Sequence, residues 1–540
     1  MGKKFLLDCT LRDGGYVNDW EFGRDNLISI FERLVNSGVD IVEVGFIDER
    51  RPYDHNRSIF PNTKAVEEIW KCIKRRPLLV VGMIDYGTCS LENIQSCEES
   101  FLDGIRVIFK KQKMHEAMEF CSRVKEKGYK VFSQLVSVTS YSDEDLQEVI
   151  RLVNEAEPYA VSMVDTYGLL EPEKLLHYYE VLDRGVKPHI QIGFHAHNNF
   201  QMGYANAQAF LKKNTDRDVL VDATLFGMGK SAGNAPIELL ARKMNEEYGA
   251  HYDVRPMLEA IEESIKPIHD KLPWGYSSFF YMCAANRCHP NYLNYYQKKG
   301  NLSPSGLDEL LSRIQPEEKR LLYDGEFAEE LYQEYISEKY DEGAAYEKLK
   351  EELENRELLL IGPGKNIRLQ EEKVLKYIAE KKPYIISVNY IPENIPVHYV
   401  FVTKGSRYKQ MAGKLDRCPG IKMIATSNVE CRNGTFEHVV MRVPLLELKE
   451  QFMDNSFLML LKVLKHACVT KIACAGFDGY SNKEDNYVMP AMEYDFVKGA
   501  AEFLNRHIRD VLETEHGEME KVFVTYSHYC DVEDIYSAAY

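Results

Sequence analysis

Short runs of apolar and β-branched residues alternate with amphipathic stretches through roughly the first half of the chain. The runs fall at residues 4–11, 39–47, 77–84, 104–110, 130–137, 160–166, 189–197 and 220–227. Between them, stretches such as 25–36, 63–74, 114–127, 144–155 and 204–213 carry apolar residues at helical spacing, for example Ile28, Phe31 and Leu34. Ser142-Asp143-Glu144-Asp145 supplies a plausible cap for one of them. Eight strands, each followed by a helix, predict a (β/α)8 TIM barrel over residues 1–252. An open doubly wound sheet would also accommodate eight strands.

Beyond the barrel the β-runs stop. Stretches 255–265, 307–314, 316–322 and 326–337 read as helices, with an aromatic run at 291–296 assigned to packing. The charged stretch 346–356 reads as a solvated linker helix, so 253–356 forms a helical extension and linker. A second alternation starts at Glu357, with strands at 358–361, 384–389, 399–403, 422–426, 439–443, 471–476 and 522–526. Helices at 369–381, 457–467 and 494–512 lie among them, which predicts a Rossmann-like open α/β domain over 357–540.

Composition narrows the classes. Hydrophobic residues make up 45% and charged residues 28% of the 540, values ordinary for a globular chain. A formal charge of −17 argues against a nucleic-acid footprint. Twelve scattered cysteines suit reduced thiols in a cytoplasm, and Cys283 and Cys288 lack a second pair that would complete a zinc site. No apolar stretch approaches a membrane span, and Met1–Leu6 lacks a signal-peptide core. The expectation is a soluble, cytoplasmic protein with no membrane or nucleic-acid partner. Whether copies associate into a homo-oligomer does not follow from the sequence.

In a TIM barrel the C-terminal strand ends share one rim, and strands one, seven and eight are neighbours. Strand one ends in Arg12-Asp13-Gly14-Gly15, strand seven in His195-Ala196-His197, and strand eight runs into Gly227-Met228-Gly229-Lys230-Ser231-Ala232-Gly233-Asn234. Two residues apart on a strand, His195 and His197 face the same way. With Asp13, and the amide oxygen of Asn234 as a fourth ligand, they make a ligand set suited to Mn²⁺ or Mg²⁺ rather than Zn²⁺. Each part has an ordinary reading as well. Asp13-Gly14-Gly15 could be a turn, and the glycines near Met228 could serve only chain reversal. Glu43 could be an ion-pair partner or catalytic, and Asp165-Thr166-Tyr167-Gly168 could shape a pocket or a turn.

The motifs Thr10-Leu11-Arg12-Asp13-Gly14-Gly15, His195-Ala196-His197-Asn198-Asn199 and Gly227–Pro236 resemble the signatures of the DRE-TIM metallolyases. With Tyr276-Ser277-Ser278-Phe279, they are most similar to the 4-hydroxy-2-oxovalerate aldolase branch, over about the first 290 residues. The resemblance implies a divalent-metal-dependent carbon–carbon lyase that makes or cleaves a 4-hydroxy-2-oxo acid through a pyruvate-type enolate. Its small-molecule partners would be a 2-oxo acid and an aldehyde. It further implies Asp13, His195 and His197 as metal ligands, Arg12 as the stabiliser of the enolate and Tyr276 in the pocket. Tyr16 stands where the aldolases carry a histidine proposed as base, and an ordinary phenol titrates near pH ~10. A Claisen-condensing acyl-CoA synthase is the alternative within the superfamily; that branch follows the histidine pair with Asn-Asp, and Asn198-Asn199 stand here. In the second domain, Gly362-Pro363-Gly364-Lys365-Asn366, Val388-Asn389 and Ala475–Tyr480 distantly resemble the sugar-nucleotide domain of bacterial sialyltransferases. That implies nucleotide-sugar binding or transfer, against a structural or partner-binding domain. A Gly-rich loop between strand and helix can hold a phosphate.

Overall fold

The computed structural model describes all residues except 1, 214, 317–318, 321–322, 433, 448–453, 483–484, 494, 532–535 and 537–540. The chain forms two compact units, Met1–Pro290 and Asn291–Tyr540. The stretch expected as one helical extension is therefore divided: residues 253–290 lie in the first unit and 291–356 in the second.

In the first unit the strands are β1 (Lys4–Asp8), β2 (Ile41–Ile47), β3 (Leu79–Asp85), β4 (Gly104–Phe109), β5 (Lys130–Leu135), β6 (Ala160–Asp165), β7 (Gln191–Ala196) and β8 (Val219–Ala223). Each runs parallel to its neighbours, and a two-residue strand, Ile59–Phe60, is added beside β2. Strand β1 pairs with β8 on one side (Leu6↔Val221) and with β2 on the other (Leu7↔Ile41), so the sheet closes. This is a (β/α)8 barrel.

Strand alternation sorts its side chains into layers. Outward residues such as Leu6, Val42, Val44, Ile105, Val107, Val131 and Val221 pack under the helices. Inward residues early in the strands, Leu7, Ile41, Leu79, Val81, Phe132, Ala160 and Leu220, plug the barrel with apolar volume. Each large side chain buried this way contributes roughly 1.5–3 kcal/mol. Two residues further along, the inward positions become Glu43, Arg106, Gln134, Ser162 and Asp222, all buried. The interior thus changes from apolar to charged along the strand direction.

Strand ends are set by local hydrogen bonds. Strand β1 stops at Asp8, short of the expected residue 11, because the Asp8 carboxyl accepts from the Thr10 N–H (2.9 Å) and hydroxyl (2.7 Å). Those bonds start the helical turn Thr10–Asp13. Strand β8 likewise ends at Ala223, before a tight turn at Leu225–Gly227. The expected cap is present: Ser142 and Asp145 form a capping box at the start of helix Asp143–Ala156.

The second unit holds a parallel sheet of β9 (Leu358–Ile361), β10 (Tyr384–Val388), β11 (Tyr399–Val402), β12 (Lys422–Thr426), β13 (His438–Val440), β14 (Lys471–Ala475) and β15 (Glu520–Phe523). Their spatial order is β13-β12-β11-β10-β9-β14-β15. The chain runs outward from β9, returns to its other side at β14, and so creates a switch point between those two strands. Helix Glu342–Leu353, expected to be solvated, buries Leu349 and Leu353 with Leu358 and Leu360. Glu342 and Glu352 also turn towards the sheet, where they accept from the Met441 N–H (2.9 Å) and the Tyr399 hydroxyl (2.8 Å), and a charge count alone does not show this. The aromatic run falls in helix Pro290–Lys299, where Tyr292 and Tyr296 are buried. The expected helix at 316–322 lies partly outside the described residues. Among the described residues, no helix is long and apolar enough to cross a membrane.

Candidate functional site

The barrel's charged layer is a continuous chain of ion pairs. Arg106, fully buried on β4, reaches Glu43 Oε2 at 3.0 Å on one side and the Asp222 carboxylate on the other. Arg12 donates from Nε to Glu43 Oε2 (2.8 Å) and from Nη1 to Asp13 Oδ2 (2.5 Å). Glu43, left open between two roles by its position in the sequence, is thus an ion-pair partner with no exposure. Asp222 in turn accepts from His195 Nδ1 at 2.9 Å. Three carboxylates face two guanidiniums here, which leaves one negative charge beside the imidazoles.

The hydrogen bonds behind the two histidines fix which nitrogen is free. With Nδ1–H of His195 given to Asp222 and Nδ1–H of His197 directed to the Gly233 carbonyl (3.3 Å), both Nε2 lone pairs are released. They point to one oxygen: Asp13 Oδ2 lies 3.2 Å from His195 Nε2 and 4.0 Å from His197 Nε2. Burial raises the Asp13 pKa, but Arg12 and the imidazoles more than reverse this and hold it well below the usual carboxylate range. Burial pushes His197 down to about 3, so it is neutral at physiological pH. For His195 burial acts downward too, and the negative charges of Asp13 and Asp222 outweigh it, leaving the pKa raised.

Asn234 pairs across an isolated bridge with His197 and donates from Nδ2 to the Met228 carbonyl (3.3 Å). Its Oδ1 is buried with no hydrogen-bond partner. The loop before it is held tightly. A Cβ on Gly229 would stand 2.2 Å from Asn234 Nδ2 and 2.9 Å from Asp13 Oδ1, so only glycine lets the loop close over the carboxylate. The backbone N–H of Lys230 completes the clasp with a 2.9 Å bond to Asp13 Oδ1.

This donor set fits a divalent cation. Asp13, His195 and His197 offer one oxygen and two nitrogens within 4.8 Å of one another, and Asn234 adds an orphaned oxygen nearby in the chain path. The overlapping trio Cys9, His195 and Asp222 fits poorly. Burial pushes the Cys9 thiol well up, and Asp222 is already engaged by Arg106.

A small cavity of about 40 Å³ opens beside these groups, lined by Arg12, Tyr16 and Lys230 as well as Asp13, His195 and His197; Asn234 is not in its lining. Tyr16 packs edge-on against Trp20 and Phe46 at 5.0 and 5.9 Å. Burial, helped by Asp13, Asp85 and Glu43, raises its pKa against the pull of Arg12, so it rests as a phenol. Tyr276 is 60% exposed and is not among the lining residues. Arg106 and Asp222 escaped sequence reasoning as site residues. The available signal was a charged residue inside an apolar β-run, Ile105-Arg106-Val107 and Val221-Asp222-Ala223.

In the second unit a cavity of about 210 Å³ lies at the C-terminal ends of β9, β10 and β14, at the switch point. Gly364, Asn389, Arg407, Ser456, Asp478 and Tyr480 are among its walls. The Gly-rich loop expected to cradle a phosphate is occupied by the chain's own carboxylate. Asp478 Oδ2 accepts from the Asn366 N–H at 2.8 Å, and a Cβ on Gly364 would stand 2.6 Å from Asp478 Cγ. Burial lifts the Asp478 pKa to about 6, and its Oδ1 has no hydrogen-bond partner.

A closed (β/α)8 barrel with two imidazoles and a carboxylate gathered on the C-terminal rim of β1 and β7 defines the class of the first unit. Residues 4–262 match the family described as HMGL-like. Among similar proteins, a 4-hydroxy-2-oxovalerate aldolase of Thermomicrobium roseum is 26% identical over 266 residues, covering 49% of this chain and 73% of the relative. An oxaloacetate decarboxylase of Mycobacterium tuberculosis is 27% identical over 241 residues, covering 44% and 68%. The solved N-terminal domain of a putative aldolase from Bacteroides vulgatus aligns with a TM-score of 0.47 at 22% identity, covering 54% of this chain and 96% of that one.

Proposed function

We propose that the first unit is a divalent-metal-dependent carbon–carbon lyase, an aldolase that makes or cleaves a 4-hydroxy-2-oxo acid through a pyruvate-type enolate. The observation that carries this reading is the convergence of two released Nε2 lone pairs on Asp13 beside the Arg12 fork. The similarity to 4-hydroxy-2-oxovalerate aldolases supports it. Asp13, His195, His197 and Asn234 would hold the ion, Mn²⁺ or Mg²⁺ by their donor types. When bound, such an ion polarises a keto group as a Lewis acid.

The protein's own groups then divide the work. Asp222 and the Gly233 carbonyl keep the imidazoles in the ligating tautomer and orientation. Arg12, pinned by Glu43 and permanently cationic, faces the oxygen that takes up negative charge as the enolate forms. Tyr16, protonated at rest, donates its Oη–H to the hydroxyl oxygen formed in the synthetic direction.

The test is metal analysis of the purified protein alongside a pyruvate-release screen over 4-hydroxy-2-oxo acids. Bound Mn²⁺ or Mg²⁺ and pyruvate release are expected; a metal-free, inactive protein would sink the reading. Arg12→Ala should cost roughly 10²–10³ in turnover, far more than it costs in metal content. Comparable activity in that variant would remove Arg12 from the mechanism.

For the second unit we propose a small-molecule site in the switch-point cavity, with a nucleotide sugar as the ligand class to test first. Since Asp478 fills the Gly-rich loop, such a ligand would present hydroxyls there and not a phosphate. Titrating the full-length protein with CMP- and UDP-sugars decides it; no saturable heat with either would remove the proposal.

A further inference from the structure

Of the two cations lining the barrel cavity, Arg12 is held in ion pairs and Lys230 is not. Arg12 is committed to Glu43 and Asp13. Lys230 makes no ion pair among the described residues; its ammonium stands over the Tyr16 ring, 5.4 Å from the centroid. Yet Lys230 is not a loose surface lysine. Its backbone N–H is bonded to Asp13 Oδ1, Gly229 before it tolerates no side chain, and Ser231 after it is held at φ 60. The loop therefore delivers this side chain to the Tyr16 side of the cavity.

Asp13 and Asp85 act on the ammonium electrostatically without forming an ion pair with it, and the Thr166 hydroxyl already accepts from the Ser137 N–H (2.8 Å). Met83, Ile108 and Val164 are apolar, and Gln134 is already bonded to Arg106 and Ser162. A half-buried ammonium with no direct ion pair has given up hydration that these more distant carboxylates do not make good, and a bound anion restores the balance. The Tyr16 hydroxyl adds a neutral donor on the same side.

We propose that Lys230 forms a carboxylate subsite, so that the carbonyl partner joined to the pyruvate unit is itself an oxo acid and not a simple aldehyde. This rests on the aldolase reading above and specifies its substrate class. In the synthetic direction the new bond joins C3 of pyruvate to the keto or aldehyde carbon of the oxo acid. The proton lost from C3 is balanced by one delivered to the new hydroxyl oxygen, and Lys230 holds the partner's carboxylate throughout. No redox change occurs.

The experiment uses the full-length protein loaded with Mn²⁺ and compares kcat/KM for condensation of pyruvate with glyoxylate against acetaldehyde. Exchange of the pyruvate methyl protons with deuterium, followed by NMR without any partner, tests the underlying aldolase reading separately. Glyoxylate should be preferred by roughly 10–100-fold, the worth of a hydrogen-bonded charge. Lys230→Met should collapse that ratio towards one, and Lys230→Arg should keep most of it. Equal use of both partners by the unaltered protein, or a Lys230→Met loss that strikes both alike, overturns the proposal. If the unaltered protein exchanges no methyl protons, the aldolase reading itself has failed.

Discussion

The two parallel sheets of this chain place their charges in opposite ways. In the closed sheet, charged residues stand mid-strand: Glu43, Arg106 and Asp222 point at the barrel axis and are buried. In the open sheet, β9 (Leu358-Leu359-Leu360-Ile361) is buried on both faces, and charged residues stand at strand starts, as Lys422, Lys471 and Glu520 do, within the edge strand β15, as Lys521 does, or past the ends, as Asp478 does. The difference follows from geometry. A closed sheet points side chains from all its strands at one axis, so a buried charge finds a counter-charge within hydrogen-bonding distance. An open sheet covers each face with apolar helix surface, where a mid-strand charge would meet none. The closed sheet can therefore build its site from within, and the open sheet must build its cavity beyond the strand ends.

The contrast can be broken most sharply at Arg106. Arg106→Met leaves Glu43 and Asp222 as adjacent buried carboxylates, and should destabilise the first unit by about 3–5 kcal/mol in urea unfolding. A loss near zero would mean the interior charges do not depend on one another.

The pH dependence of the two units should run in opposite senses at two residues. Buried His516, in the second unit, has no hydrogen-bond partner at either ring nitrogen, and burial pushes its pKa down from 6.5 to about 4. Its contribution is fully present above 6.5 and is lost as pH falls towards 4, because the unfolded chain takes up the proton first. Asp8, in the barrel, is raised from 3.8 to about 7 by burial; its contribution is present below 3.8 and is lost as pH rises through 7. Melting with hydrogen exchange to assign each unit should show His516→Leu flattening the acid-side loss and Asp8→Asn gaining more at pH ~8 than at pH ~4. The same trend in both variants would refute this assignment.

The smallest effects belong to the helix caps, where the two units should not differ. Ser142→Ala in the barrel and Asn455→Ala in the second unit each remove one N-cap, at about 1 kcal/mol by chemical denaturation. A much larger loss at Asn455 would give that residue a role in the switch-point cavity that its cap does not explain.

Much of this architecture was legible along the chain because period-2 and period-3.6 patterns are local. The runs at 104–110 and 130–137 became Gly104–Phe109 and Lys130–Leu135. Strand β1 ended early since Asp8 bonds Thr10, a side-chain bond that hydropathy does not register. The solvated reading of 346–356 missed Leu349 and Leu353, which sit among the charges at helical spacing and face the core. Arg12, Asp13, His195, His197, Tyr16 and Asn234 were named from motifs, and their mutual distances were not readable there. Tyr276 stands exposed, outside the cavity lining.

What the sequence determined by itself is the alternation of elements, the motif residues and the glycines that permit close backbone approach. Tertiary structure decided the pairing of β1 with both β2 and β8, and with it which distant charges meet. Arg106 and Asp222 are 116 residues apart, and Asp13 and His195 are separated by most of the barrel. Periodicity is a property of neighbours in the chain, whereas an ion pair across a barrel axis exists only once the sheet has closed.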